Sequence, residues 1–331
     1  MRLQHVDIAR GLCILLVALG HNMIVVPPDS AFNHMLGTIR MPLLFLIAGT
    51  FFNPAQPLSQ LARQKADALI KPFLVMALLH APFRMLIWQV PPLDYGLGVL
   101  SGSGNYLPWL YALWFLPHLW LVFVLAWLMH HGAARLGLKQ AEQVMLLATL
   151  LMSGFVLLPI FWMKEVQFAG LHLTLKGLPF SADLLPISTF FFMVGMMVRK
   201  PFLAMSFRLP ALLLALGVFG WTQLLYQPEV SLFERRYSHL FACTAAALAG
   251  ITVMLELSIA LVKLPRIGRP LAHCGVNSLF ILIFHSPIQS ATRGLLDSWW
   301  GRGSMLSASL AYIASILSSL ILARLIRQHT A

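Results

Sequence analysis

The chain has 331 residues, 59% of them hydrophobic and 10% charged. Soluble domains run near about 45–50% apolar and about 25% charged, so an ordinary soluble domain is excluded, as are disorder, a collagen repeat and a disulfide scaffold. Lys and Arg number 23 against 11 Asp and Glu, a net +12. In a soluble chain that excess would point to nucleic acid; here the position of each charge matters more than the sum, and no nucleic-acid partner is expected.

Apolar runs long enough to cross a bilayer, about 17–25 residues each, fall near 8–26, 34–52, 67–88, 107–129, 143–162, 183–199, 209–226, 238–262, 272–292 and 304–326. The fold class is therefore all-α: a polytopic integral membrane bundle of about ten transmembrane helices, forming a single domain over 1–331. Pro42, Pro72, Pro117 and Pro287 lie within these runs; neighbouring helices satisfy the backbone groups they free, and kinks are expected there. The N-terminal MRLQHVDIARGL has no small-residue cleavage site after a short apolar run, so the first span is expected to be retained. Cys13, Cys243 and Cys274 are isolated within apolar runs, offer no disulfide or metal spacing, and read as packing residues.

Lys and Arg accumulate on the cytoplasmic side of membrane proteins. With the N-terminus inside, Arg2, Arg10, Arg63, Lys65, Lys71, Arg135, Lys139, Arg199, Lys200, Arg208, Lys263, Arg266, Arg269, Arg324 and Arg327 form the inner set. Lys164, Lys176, Arg235, Arg236, Arg293 and Arg302 form the smaller outer set, and Arg40 and Arg84 lie within spans. Both termini are expected to be cytoplasmic. The loops are short, so the chemistry belongs to the bundle.

An ionisable group inside a bilayer is costly and marks a cavity or a partner. The first span carries Asp7, Arg10 and His21 followed by Asn22. The 11 steps from Arg10 to His21 turn through about 1100°, a net of about 20°, so both lie on one helix face about 16 Å apart along the axis. Asp7 and Arg10 are spaced to pair. Arg10 reads either as a positive-inside anchor or as the cation of a site, and His21 either as an interhelical hydrogen bond or as a working imidazole. Arg40, His80, Arg84 and His285 are placed toward the same outer half; for His80 and Arg84 a snorkelling pair is the preferred role. Glu256 and His118 read either as members of a proton relay or, the preferred role, as satisfied interhelical hydrogen bonds. No P-loop, GxGxxG context, HExxH or Ser-His-Asp arrangement appears, and no metal is expected.

Asp7, Arg10-Gly11 and His21 resemble the first-helix signature of the membrane acyltransferase-3 family. Met41-Pro42-Leu43-Leu44-Phe45-Leu46-Ile47-Ala48-Gly49 resembles its second-helix run, and Arg63-Gln64-Lys65 leading to Lys71-Pro72-Phe73 resembles its basic cluster before the third helix. Trp114-Phe115-Leu116-Pro117 resembles a fourth-helix motif, and Gly275-Val276-Asn277-Ser278-Leu279 with His285-Ser286-Pro287 a ninth-helix pattern. The ordered set covers most of the chain. Lys65 stands where relatives commonly carry a second arginine, losing bidentate phosphate geometry, and Arg40 stands where they often carry His.

The resemblance, which extends to the fucose 4-O-acetylase-like group, implies an integral membrane O-acyltransferase, placed in a bacterial inner membrane. Its donor would be acetyl-CoA or another acyl-CoA and its acceptor a hydroxyl on a carbohydrate or glycolipid. Membrane lipid is the remaining partner. In that reading His21 is the general base, Arg10 positions the pantetheine arm or thioester, and Arg63, Lys65 and Lys71 meet the CoA phosphates. Asp7, Asn22, Arg40, Trp114, Asn277, Ser278 and His285 support the site or line the acceptor pocket. The competing reading is a secondary transporter using intramembrane His and Arg for proton coupling or anion binding; a third is an assembly subunit whose buried charges only lock helices together.

Overall fold

The computed structural model describes residues 3–107, 110–168 and 171–330; Arg2 of the inner cation set and residues 108–109 of the fourth apolar run lie outside these. Each of the ten apolar runs folds mainly as helix. In chain order the elements are α1 (Gln4–Gly20), α2 (Ala31–Thr50), α3 (Leu58–Lys65), α4 (Lys71–Leu86), α5 (Pro92–Ser101), α6 (Phe115–Arg135), α7 (Gln140–Leu157), β1 (Trp162–Phe168), β2 (Leu171–Lys176), α8 (Leu185–Met197), α9 (Arg199–Leu203), α10 (Leu209–Tyr226), β3 (Val230–Ser231), β4 (Arg236–Tyr237), α11 (Leu240–Val262), α12 (Pro265–Val276), α13 (Ser278–Trp300) and α14 (Met305–Thr330).

Among the described residues eight helical stretches are long and apolar enough to cross a membrane, or nine when α12 and α13 count as one bent span. The remaining run is α1, 17 residues long. Large apolar side chains stand outward, Phe241, Leu224 and Leu86 among them, the pattern of helices apolar all round whose outer surface meets lipid rather than water. The chain is an integral membrane protein.

Three local features differ from the sequence reading. The first helix ends at Gly20 rather than continuing to 26, because Asn22 turns the chain: its Oδ1 accepts the Val25 N–H at 3.4 Å and its Nδ2–H reaches the Ala308 carbonyl at 2.8 Å. The sharpest break in the ninth span, 82°, falls between α12 and α13 at Asn277, ten residues before Pro287. The loop after α7 folds into an antiparallel hairpin, β1 with β2. At Pro72 the expected disturbance takes the form of a π-helical turn over Ala66–Ile70, which widens the helix where the proline ring would crowd the preceding turn.

The chain forms two compact units, one of Met1–Leu44, Lys200–Ser231 and Tyr237–Ala331, the other of Phe45–Arg199 and Leu232–Arg236. In the first, α1 lies against α12 at backbone distance. A Cβ on Gly11 would run into the Leu271 carbonyl, and one on Gly275 into the Asp7 carbonyl, so two glycines permit an approach that side chains would prevent, as small residues do in membrane bundles. Glu256 of α11 is 1% exposed, and its carboxylate accepts the Arg208 N–H at the head of α10, 2.9 Å away. It is the satisfied interhelical bond expected of it.

In the second unit, Gly49 and Gly195 give α2 and α8 the same backbone contact, and Phe52 and Phe123 each pack edge to face with Phe192 beside it. Trp120 and Trp127 of α6 donate their indole N–H to the Ala62 and Gln56 carbonyls at 2.9 and 2.8 Å. An ion pair, Asp183 with Arg235 at 2.8 Å, is almost fully enclosed. The guanidinium also donates to Ser181 Oγ and the Phe233 carbonyl and faces the Trp162 ring.

Candidate active site

The close crossing of α1 and α12 fixes where the chain emerges from the far end of each helix. Beyond the Asn277 bend, α13 carries His285 with no solvent exposure, while α1 ends and presents His21 as its C-terminal cap. The two imidazoles meet: His21 Nδ1 lies 2.8 Å from His285 Nε2. Their planes differ by 15° and their centroids are 5.1 Å apart, the separation of rings touching edge to edge through that contact rather than face to face. On its other side His285 Nδ1 lies 2.7 Å from the Ile281 carbonyl and 3.1 Å from that of Leu282.

Arg40 of α2 completes the cluster. Its guanidinium lies against Gly20, the residue before His21, where any Cβ would collide with Nη1. It donates to the Leu16 carbonyl at 3.4 Å and to Asn33 Oδ1 at 3.0 Å. Both acceptors are neutral, so among the described residues no carboxylate is bonded to this cation. Cys13 sits beneath and donates its S–H to the Arg40 carbonyl at 3.1 Å, a packing role as expected.

Of the expected site residues, then, the structure brings together His21, His285 and Arg40. Asn22, next to His21, spends its side chain on the turn and on α14. Asp7 is buried and Arg10 half-buried earlier on α1. Asn277 makes the bend, its Nδ2–H donating to the His273 carbonyl at 2.8 Å, and Ser278 opens α13. These two shape the helix that carries His285.

The other expected residues belong to the second unit. Arg63 and Lys71 are exposed, whereas the Lys65 ammonium rests over the Phe123 ring, 4.1 Å from its centroid, a cation–π contact. Trp114 is buried with its ring 5.4 Å from that of His118. His118 is the satisfied residue the sequence suggested: Nδ1 faces the Phe180 carbonyl at 3.1 Å and Nε2 the Ser188 hydroxyl at 2.8 Å. His80 and Arg84 both flank Trp88, by stacking and by a cation–π contact, as an interfacial pair would.

Sequence reasoning missed Asn33 and the Asp183–Arg235 pair. Asn33 precedes Arg40 by two helical turns on one face, a spacing that could have flagged it. Asp183 opens an apolar run, a signal of a paired acid, but nothing in the sequence names its partner. No group of three His, Cys, Asp or Glu side chains among the described residues could hold a metal.

Residues 3–324 match a family model described as an acyltransferase domain. No curated protein and no solved structure is matched.

Proposed function

Because the chain belongs to this acyltransferase family, its match running over residues 3–324, we propose that it transfers an acyl group from cytoplasmic acyl-CoA to a hydroxyl of a carbohydrate or glycolipid at the outer face of a bacterial inner membrane. Acetyl-CoA is the proposed donor, and His21 the general base. The observation that carries the reading is the cluster of His21, His285 and Arg40, a base with a positioned imidazole and an adjacent cation inside an apolar bundle.

The reaction needs few groups. The acceptor hydroxyl gives its proton to His21 as its oxygen attacks the thioester carbonyl. The tetrahedral intermediate collapses with cleavage of the C–S bond, and the departing thiolate recovers the proton from His21. The products are an ester and free CoA thiol. Arg40, bonded to neutral partners, holds the acceptor beside the base, and Arg10 positions the thioester arm. Exposed Arg63 and Lys71, with Lys65, supply cations for the CoA phosphates.

The test is transfer by the purified protein in detergent. With radiolabelled acetyl-CoA and bacterial surface glycan, labelled ester should form in step with CoA release, and His21→Ala should abolish both. Label transfer that survives His21→Ala overturns the base assignment. Accumulation of a solute in proteoliposomes without any covalent change overturns the acyl-transfer reading itself and favours transport.

A further inference from the structure

The hydrogen bonds around His285 fix more than its own position. A carbonyl oxygen only accepts, so the nitrogen that touches the Ile281 and Leu282 carbonyls, Nδ1, must carry a hydrogen. In a neutral imidazole the lone pair is then on Nε2. That nitrogen faces His21 Nδ1 at 2.8 Å in the common plane of the rings, and a contact of that length needs one donor. The donor is His21 Nδ1–H. The opposite polarity would require a doubly protonated His285, a full charge at a position with no solvent exposure and with the Arg40 cation in the same cluster, where desolvation opposes it.

We propose that His285 is a positioning residue that holds His21 in the Nδ1–H tautomer, so that Nε2 of His21 is the nitrogen that takes the acceptor proton. This rests on the reading of His21 as the base and adds which atom acts and what keeps it ready. The hydrogen a ring nitrogen carries is set by the bond the other nitrogen makes. The carbonyl anchor comes from the same helix, one turn before His285, so the orientation is built into α13 and needs no third side chain. A protein backbone here does the orienting that a carboxylate does in serine-hydrolase triads. Without the anchor, His21 would exchange between tautomers and rotate about its side-chain bonds, leaving a fraction of molecules with the proton on the wrong nitrogen.

Two substitutions of similar size separate this role from simple packing. In His285→Gln the amide oxygen falls near the place of Nε2 and still accepts from His21 Nδ1–H; in His285→Leu nothing accepts. The expected result for the leucine variant is a fall in kcat of roughly 10²-fold with the acetyl-CoA KM unchanged, and for the glutamine variant recovery to within about tenfold of the native rate. Nitrogen-15 histidine spectra of the whole native chain in micelles should show the His21 proton on Nδ1. A His21 proton on Nε2 in the native protein overturns the proposal, as does equal activity of the leucine and glutamine variants. Should the variants not fold, the native spectrum alone decides. If His21→Ala remains active while the native tautomer is as stated, the base assignment has failed and the tautomer lock has not.

Discussion

His118 in the second unit and His285 in the first have no solvent exposure, and each gives one ring nitrogen to a backbone carbonyl: Phe180 for His118, Ile281 and Leu282 for His285. They part at the other nitrogen. His118 Nε2 meets the hydroxyl of Ser188, itself fully buried, and the chain of hydrogen bonds stops there. His285 Nε2 meets a second imidazole, that of His21. A base touching a hydroxyl at 2.8 Å has the spacing of a nucleophile pair, yet enclosure on both sides leaves the His118–Ser188 pair a cross-link between α6 and α8. Burial does not separate the two histidines; the partner of the second nitrogen, a hydroxyl for His118 and an imidazole for His285, does.

The largest expected effect breaks or confirms this contrast directly. His21→Ala should lower single-turnover acyl transfer by roughly 10²–10⁴-fold, the contribution of a general base, whereas His118→Leu should leave turnover per folded molecule within about twofold. Comparable losses in the two variants, measured by quenched-flow transfer on purified protein, would erase the distinction. Next in size is Asp183→Asn, which strands the Arg235 charge in an enclosed site; breaking one partner of such a pair costs about 3–5 kcal/mol. It should appear as a fall in detergent unfolding stability, with the rate of the folded fraction unchanged.

Ser188→Ala should cost about 1–3 kcal/mol by leaving His118 Nε2 without its hydroxyl, read from the same unfolding curves and again without a change in rate. The smallest effect is expected on donor binding. Arg63→Ala and Lys71→Ala remove exposed cations whose attraction to phosphate is screened by water and salt. Each should raise the acetyl-CoA KM several-fold and leave the acceptor KM alone, and the rise should diminish at high ionic strength. An equal rise for donor and acceptor would make this loop a structural element.

The helices were legible because a bilayer demands long apolar runs, and each of the ten runs has its helix. Where polar groups intervene, the reading was coarser. Nothing in the first apolar run marks Gly20 as its last helical residue, since the turn depends on Asn22 finding a carbonyl on α14, 286 residues away. His21 and His285 were each singled out, but their contact spans 264 residues and depends on the α1–α12 crossing and the Asn277 bend. Gly11 and Gly49 stood within recognisable motifs, and their reason, a facing carbonyl on another helix, appears only in three dimensions. The hairpin was more accessible. Leu171, Leu173 and Leu175 alternate with His172, Thr174 and Lys176, a period of two that signals a strand but is short enough to be lost among spans.

The Asp183–Arg235 pair joins parts of the chain that are made at different times. The two residues are 52 positions apart, and α8 and α10 lie between them, so the acid is made and its segment delivered to the membrane before its counter-charge exists. Residues Leu232–Arg236 return to the second unit after a stretch assigned to the first, so closure of that unit waits for a segment made later. A chain halted at residue 231 would hold every helix of the second unit and still lack the cation that neutralises Asp183. Such a truncated product should be cleaved by membrane proteases more readily than the full chain, because the acid of an enclosed pair is left without its counter-charge.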